Sequence, residues 1–129
     1  MRSPKDSLRP GEADKGLVAI DEALDRSQRA AERWCLPELL RIKGELELMR
    51  RVEDADSAQQ HFVQAIEWAR RQGALSWELR ASTSLGRLWL GQGRASDAHA
   101  LLAPLRARFT EGLETADLVS ADKLLGLLA

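Results

Sequence analysis

Two glycines near the start of the chain have the spacing of a phosphate-binding loop. Gly11 and Gly16 are separated as the glycines of such a loop are, but Leu17 and Val18 stand where the loop needs a lysine and a serine or threonine. No strand signal precedes them, whereas this loop follows a strand. The pattern therefore favours a turn glycine and a small packing residue over phosphate binding.

Potential metal ligands and nucleophiles are scattered along the sequence. Asp54 and Asp56 could start a calcium-binding loop, but an alanine occupies its fifth position and no glycine its sixth. Cys35, His61 and His99 could bind zinc only if the fold converged them, and no i, i+4 ligand pair supports this. No Ser-His-Asp or Cys-His arrangement follows from spacing. We expect no catalytic residue, no metal and no cofactor, and hence a protein that is not an enzyme.

Charged residues are numerous but balanced. The chain has 19 Lys and Arg against 20 Asp and Glu, a net charge of −1 that argues against a dedicated binder of phosphate backbones. Pairs such as Glu45 and Glu47 or Asp21 and Asp25 fall on polar helix faces beside cations, which is typical of a solvated ion-pair face. Two alternatives remain, an enzyme with an unrecognised site and a nucleic-acid-associated regulator. The second would depend on Arg26, Arg29, Arg33 and Arg41 or on Arg70 and Arg71.

Length and composition indicate one domain. With 129 residues, 44% of them hydrophobic, the chain can bury a core of its own. Its apolar runs are too short to span a membrane, and residues 1–10 lack the apolar stretch of a signal peptide. The single cysteine excludes an intrachain disulfide framework and suits a reducing compartment. We therefore predict a cytoplasmic protein without membrane association, whose residues 1–10 are a flexible segment.

Helix signals run along almost the whole chain. Apolar residues recur every three or four positions, and alternating β-branched runs are absent. Pro37 suits a first helical turn, Gly73 suits the left-handed position after a helix, and Thr115 suits an N-cap. Short connections favour antiparallel neighbours. The pattern predicts an all-α protein with six helices, at residues 13–31, 37–50, 56–72, 75–90, 95–108 and 115–128.

A repeat of about forty residues underlies these helices. Small and large residues recur with the same internal spacing in three helices, at offsets of 42 and then 40 residues. The three sets are Gly16, Ile20 and Ala23; Ala58, Phe62 and Ala65; and Ala98, Leu102 and Leu105. Gly44 and Gly86 lie 42 residues apart within the preceding helices. Because a glycine there costs about 1 kcal/mol relative to alanine, the pair predicts close helix contacts.

The repeat resembles the tetratricopeptide (TPR) family. Leu85-Gly86, Trp89, Gly93 and Ala98 are similar to its Leu-Gly, aromatic, Gly and Ala positions. The resemblance implies a TPR-like α-α superhelix of stacked antiparallel hairpins. Its parts would be a half repeat at 11–33, repeats at 36–73 and 75–112, and a C-terminal helix at 115–128.

Longer strings are more specific. Those at residues 32–46, 72–80, 101–104 and 108–112 resemble the C-terminal regions of bacterial adenylate/guanylate cyclase or winged-helix regulator ATPases. In those proteins a TPR-like tail follows a head and an NTPase module, and the resemblance covers the tail only. It implies a non-catalytic helical-repeat module that mediates protein–protein interaction in bacterial signalling or transcriptional regulation.

Repeat phase assigns residues to packing and to a partner groove. The repeat-packing residues are Gly44, Ala58, Phe62, Ala65, Gly86, Trp89, Ala98 and Leu102. First helices of a TPR-like stack line a concave groove, which here would present a protein or peptide partner with Glu38, Arg41, Glu45, Leu48, Arg80, Thr83, Arg87 and Leu90.

Four tryptophans divide between core and surface. Trp89 lies on the apolar stripe of its helix and is expected in the core. Trp34 and Trp77 occupy similar repeat positions, where they would either pack one hairpin on the next or anchor a partner. Trp68 lies off the apolar face of its helix, so we expect it to be the most exposed aromatic residue.

The two end helices predict self-association. Residues 13–31 form a second helix whose first helix is missing, and Leu124, Leu125 and Leu127 cannot all face one hairpin. Exposed apolar ends favour association, and a twofold dimer is its commonest closed form. We therefore expect a homodimer through an end helix.

Overall fold

The computed structural model describes residues 10–29 and 33–128. Within these ranges 87% of the residues are helical and no strand occurs, which confirms the predicted all-α fold and its six helices. Short 3-10 turns at Arg33–Cys35 and Val52–Asp54 precede the second and third helices. The α-helices are α1 (Pro10–Arg29), α2 (Leu36–Arg50), α3 (Ala55–Gln72), α4 (Leu75–Gly91), α5 (Ala95–Arg106) and α6 (Ala116–Leu128).

Particular residues begin and end these helices. Pro37 lies in the first turn of α2, where its missing N–H would have had no helical partner. After α3, Gly73 has a φ of 67°, a conformation that glycine adopts without strain. The N–H of Ala74 then donates to the carbonyl of Ala69 at 2.9 Å, which satisfies a carbonyl at the helix end.

Two predicted boundaries were wrong. α1 begins at Pro10 instead of residue 13, because proline fits a first turn, so Gly11 is helical and does not form a turn. α5 ends at Arg106, two residues early, where i→i+3 bonds such as Arg108 N–H to the Leu105 carbonyl replace the helical ones. Residues 1–9, predicted flexible, and residues 30 and 31, predicted helical, lie outside the described residues.

The helices form two layers. Layer A consists of α2, α4 and α6, in which α4 contacts both others. Layer B consists of α1, α3 and α5, in which α1 packs on α2, α3 on α2 and α4, and α5 on α4 and α6. α4 is therefore surrounded by four helices, and its residues 81–86 are all buried. Small side chains at Ala81, Ser82 and Ser84 allow this all-round packing.

The core has two apolar clusters. One lies among α2, α3 and α4 around Phe62, and the other among α4, α5 and α6 around Leu102. The buried members of the first are Leu36, Leu40, Ala58, Phe62, Ala65, Ile66, Ala81 and Leu85. Those of the second are Leu79, Leu102, Leu105, Leu118, Ala121 and Leu124.

The two repeat glycines lie at close helix contacts. A Cβ on Gly44 would lie 2.6 Å from Cε1 of Phe62 on α3. A Cβ on Gly86 would lie 3.0 Å from Cδ2 of Leu124 on α6 and 3.8 Å from the Cβ of Ala98 on α5. The two glycines at equivalent repeat positions therefore allow the close approach of different helices: α3 at Gly44 and mainly α6 at Gly86.

Candidate functional site

A chain of ion pairs joins the three helices of layer A. Glu38 on α2 accepts hydrogen bonds from Arg41 at 2.7 Å and from Arg80 of α4 at 2.5 Å. Arg80 also donates to Asp117 of α6 at 2.9 and 3.0 Å. These side chains are 19–36% exposed, so they lie at the surface. We call Glu38, Arg41, Arg80 and Asp117 the charged face; three of them belong to the predicted groove, and Asp117 does not.

The charged face stabilises its own charges. Burial by itself would raise the pKa of Glu38, but hydrogen bonds and charges from Arg41 and Arg80 outweigh burial and hold that pKa below its ordinary value. Hydrogen bonding to Asp117 outweighs the partial burial of Arg80 and raises its pKa. Glu38 and Arg80 are therefore both ionised near neutral pH.

Two tryptophans stack at one end of the charged face. The rings of Trp34, in the turn before α2, and Trp77, in the first turn of α4, have centroids 6.0 Å apart and planes 18° apart. The Nε2 of Gln72 donates to the carbonyl of Arg33 at 2.8 Å and holds this turn against the end of α3. Trp34 is nevertheless 67% exposed. The pair thus connects successive hairpins and also presents a large aromatic surface to solvent.

The same contacts define how α2 and α4 lie together. Trp34 meets Trp77, and about one turn later along both helices Glu38 meets Arg80, 42 residues away. Because both contacts have nearly the repeat offset and the same order, α2 and α4 run in the same direction in repeat register.

The other two tryptophans are half-buried. Trp68 packs against the first core cluster with the guanidinium of Arg71 5.1 Å from its ring centroid, so its prediction as the most exposed aromatic was wrong. Trp34 is the more exposed tryptophan, because it lies in a 3-10 turn before α2 and not on the apolar side of a helix. Trp89 packs against the same cluster, and its Nε1 donates to Gln59 at 2.9 Å.

The remaining predicted groove residues lie in different environments. Thr83 is buried and donates to the carbonyl one turn earlier at 2.8 Å, so its assignment to the groove was wrong, because α4 is enclosed on all sides. Leu48 and Leu90 are half-buried and pack against the core clusters. Arg87 is exposed and, with Leu90, lines an open cleft between α4 and α6. Glu45 is half-exposed on α2.

A second polar group is buried between α2 and α3. Glu47 is 6% exposed; its Oε2 accepts a hydrogen bond from Ser57 at 2.5 Å, and its Oε1 lies 2.5 Å from Nδ1 of His61. The prediction of Glu47 on a solvated face was wrong, because it shares a side of α2 with Leu40 and Gly44, which face α3. Glu47, Ser57 and His61 thus link the two helices of the α2–α3 hairpin by hydrogen bonds.

The other candidate chemical residues remain apart. Cys35 is half-buried with its Sγ 3.5 Å from Oγ of Ser27, and His99 is exposed on α5. Gly11 and Gly16 lie within helix α1. In the part of the chain that the structure describes, no three His, Cys, Asp or Glu side chains form a group that could hold a metal ion.

Several arginines of the nucleic-acid alternative are engaged within the chain. Arg41 pairs with Glu38, Arg70 donates to Glu78 at 2.9 Å, and Arg71 lies over Trp68. The side chain of Arg29 lies outside the described part. Half of the six arginines are therefore committed to internal contacts.

None of the described helices is long and apolar enough to cross a membrane. The chain has no significant match to a protein-family model, to a curated protein or to a solved structure.

Proposed function

We propose that this chain is a non-catalytic protein-interaction module that binds a partner across the charged face and the Trp34–Trp77 pair. The observation that carries the proposal is an exposed tryptophan held in a fixed position beside an ordered array of charges. Tryptophan and arginine are the residues that most often dominate binding energy at protein interfaces. Trp34 combines a large apolar surface with few rotatable bonds, so its ordering costs little on binding.

The chemistry of this surface suits an extended polar segment. Positive and negative groups alternate from Arg41 through Glu38 and Arg80 to Asp117. The internal ion pairs hold these charges in a fixed order at the surface, against which a polar segment with both signs of charge can lie. An apolar or aromatic residue of the segment would pack on Trp34. Such complementarity sets specificity and orientation more than affinity.

The proposal includes a TPR-like stack whose layer A lines the groove. The repeat-register contacts between α2 and α4 support this arrangement. Bacterial signalling or transcriptional regulation is the biological setting that the sequence resemblance implies. No catalytic step is part of the proposal.

Site-specific photo-crosslinking in the cells that make the protein tests this function. A photoreactive residue replaces Ser76, which is exposed next to Trp77, or, as the control, Val63, which is 36% exposed on α3 in layer B. We expect a discrete protein adduct from position 76 that position 63 does not give. Trp34→Ala should abolish that adduct.

The Trp34→Ala variant must remain folded for this comparison. Because Trp34 is mostly exposed, its loss should cost only the stacking contribution, about 0.5–1.5 kcal/mol. Helical circular dichroism at the crosslinking temperature checks this. The same adducts from both positions, adducts unaffected by Trp34→Ala, or adducts with nucleic acid would overturn the proposal.

A further inference from the structure

One side of α6 is exposed where the equivalent sides of α2 and α4 are buried. Offsets of 42 and 40 residues align the three layer-A helices. The aligned residues, in the order α2, α4, α6, are Pro37, Leu79 and Val119; Leu40, Ser82 and Asp122; and Gly44, Gly86 and Gly126. In each set the first two residues are buried and the α6 residue is exposed.

The rest of α6 shows that this alignment is correct. Three positions are buried in both α4 and α6, namely Glu78 and Leu118, Ala81 and Ala121, and Ser84 and Leu124. The α6 residues that are exposed where α4 is buried, which include Lys123 at the position of Thr83, all lie on one side of the helix. On α2 that side faces α3, through Gly44 and Phe62. On α4 it faces α6, through Gly86 and Leu124, and more distantly α5, through Ala98. On α6 it is the side where a layer-B helix would pack.

α1 has the complementary feature. It belongs to layer B, whose other members press a small residue, a large residue and a third apolar residue against layer A. Those residues are buried in α3 (Ala58, Phe62, Ala65) and in α5 (Ala98, Leu102, Leu105), but only half-buried in α1 (Gly16, Ile20, Ala23). Within the described residues α1 packs on α2, where a Cβ on Gly16 would lie 3.1 Å from Leu46, and the half-burial of the set leaves part of its surface exposed.

We infer that α1 of a second copy of this chain packs on the exposed side of α6 and repeats the α2–α3 contact between molecules. Ile20 of one copy then lies over Gly126 of the other, as Phe62 lies over Gly44. The space exists, because a Cβ on Gly126 meets no atom within 4 Å. This side also carries two charged residues, Asp122, which is held by Arg106 of α5 at 2.6 Å, and the exposed Lys123.

This contact is head-to-tail, because two different surfaces meet. Among the described helices α1 and α6 lie at opposite ends of the stack, so each added copy presents a new α6. Heterologous contacts of this kind form rings or open chains instead of closed twofold pairs. The inference goes beyond the proposed function and is independent of it, since it uses the ends of the stack and not the charged face.

Sedimentation velocity of the whole chain tests the inference. As concentration rises from micromolar towards millimolar, the mass should grow past that of a dimer of the 14.3 kDa chain. Gly126→Leu fills the space that Ile20 would occupy and should keep the protein monomeric at every concentration. Helical circular dichroism should be unchanged, since nothing surrounds Gly126.

Two variants serve as controls. Gly11→Leu makes the same change at another helical glycine with nothing within 4 Å, one that lies two and a half turns before Ile20. Leu127→Glu removes the most exposed large apolar side chain of the described residues, 70% exposed, from a different side of α6. Both variants should associate like the wild type. If Leu127→Glu alone abolishes association, nonspecific apolar contact is the cause and the inference is wrong.

Mixing two blocked chains tests the head-to-tail order. Ala19 is exposed on α1 at the repeat position of His61, which faces α2 in the first hairpin, so Ala19→Arg blocks the α1 side. Ala19→Arg and Gly126→Leu should each be monomeric alone and form a 1:1 dimer when mixed. A wild type that stays monomeric, a dimer that does not grow, or a mixture that stays monomeric would each overturn the inference.

Discussion

The α2–α3 hairpin and the α4–α5 hairpin share the same repeat positions but are closed by different contacts. In the first, Gly44 receives the ring of Phe62 from its own partner helix. In the second, Gly86 lies closest to Leu124 of α6, outside the hairpin. The same glycine therefore serves a contact within one hairpin and a contact between hairpins.

Polar contacts show the same contrast. Glu47 bonds Ser57 and His61 of its own hairpin. Its repeat counterpart Trp89 donates instead to Gln59 of α3, in the preceding hairpin. Both hairpins share apolar packing between their own helices, but these glycine and polar contacts lie within the first hairpin and, in the second, reach to its neighbours. Such sharing between units and their interfaces is expected of stacked helical hairpins.

Glu47→Ala should have the largest effect, because it removes two hydrogen bonds to a buried carboxylate and leaves Ser57 and His61 unpaired. Hydrogen bonds to charged groups contribute about 1.5–3 kcal/mol each, so we expect a loss of about 3 kcal/mol in the free energy of unfolding. Glu45→Ala, at a half-exposed position of α2, should change it by less than about 0.5 kcal/mol. Urea denaturation measures both, and similar losses would contradict internal closure of the first hairpin.

Gly44→Ala should destabilise by about 1–3 kcal/mol, because a rigid aromatic ring lies where the methyl group must go. Phe62→Leu in the same chain should relieve this overlap. The double variant should therefore be more stable than the sum of the single effects predicts. Thermal or urea unfolding of all four proteins completes the cycle, and strict additivity would show that the ring is not the obstacle.

Gly86→Ala should change stability by less than about 1 kcal/mol. The nearest atom, Cδ2 of Leu124, is the end of a flexible side chain that can move, and alanine in a helix interior recovers about 1 kcal/mol of propensity. The difference between the losses of stability in Gly44→Ala and Gly86→Ala tests most directly whether the two glycines make different contacts. Equal melting temperatures for the two alanine variants would refute it.

Glu38→Gln should have the smallest effect and tests the contact that joins the two hairpins. The pair with Arg80 is partly exposed and screened, so it contributes on the order of 0.5 kcal/mol. Because the pKa of folded Glu38 lies below its ordinary value of 4.5, this stability is fully present above about pH 4.5 and is lost as the pH falls through the folded pKa.

Urea denaturation of the wild type and Glu38→Gln from pH 7 down to pH 3 measures this dependence. The difference between them should be constant near neutral pH and shrink in acid. Glu67→Gln, exposed on α3, makes the same change in net charge and serves as the control. A difference that grows in acid would contradict the role of Glu38.

Much of the fold could be predicted because local rules decide it. Helical periodicity, Pro37 and Gly73 located the helices to within about three residues of their observed ends. The buried set Ala58, Phe62 and Ala65 follows directly from 3–4 spacing. Burial of Thr83 could not be read in the same way, because it depends on four neighbours around α4 and not on the pattern of α4 itself.

The candidate site was predictable only in part. Repeat phase brought Glu38 and Arg80 to one surface, and their opposite charges at an offset of 42 residues were a usable signal for a direct pair. Asp117 was missed because the groove was assigned from α2 and α4 alone. The offset of 40 residues between Gly86 and Gly126 was a usable signal for the register of α6 against α4. Glu47 was missed because charge alone suggested solvent, whereas its position in the Leu40–Gly44 stripe indicated burial.

The stacked tryptophans also provide an intrinsic spectroscopic signal for the contact between the two hairpins. Two indole chromophores stacked 6.0 Å apart, with ring planes 18° apart, couple their electronic transitions. Where the two transition dipoles are skewed, this coupling produces a paired band of opposite signs in circular dichroism. Trp34 and Trp77 belong to successive hairpins, so the band vanishes when the hairpins slide or part, even if every helix persists. Comparing it with the helical signal during unfolding separates loss of register from loss of helix without a label.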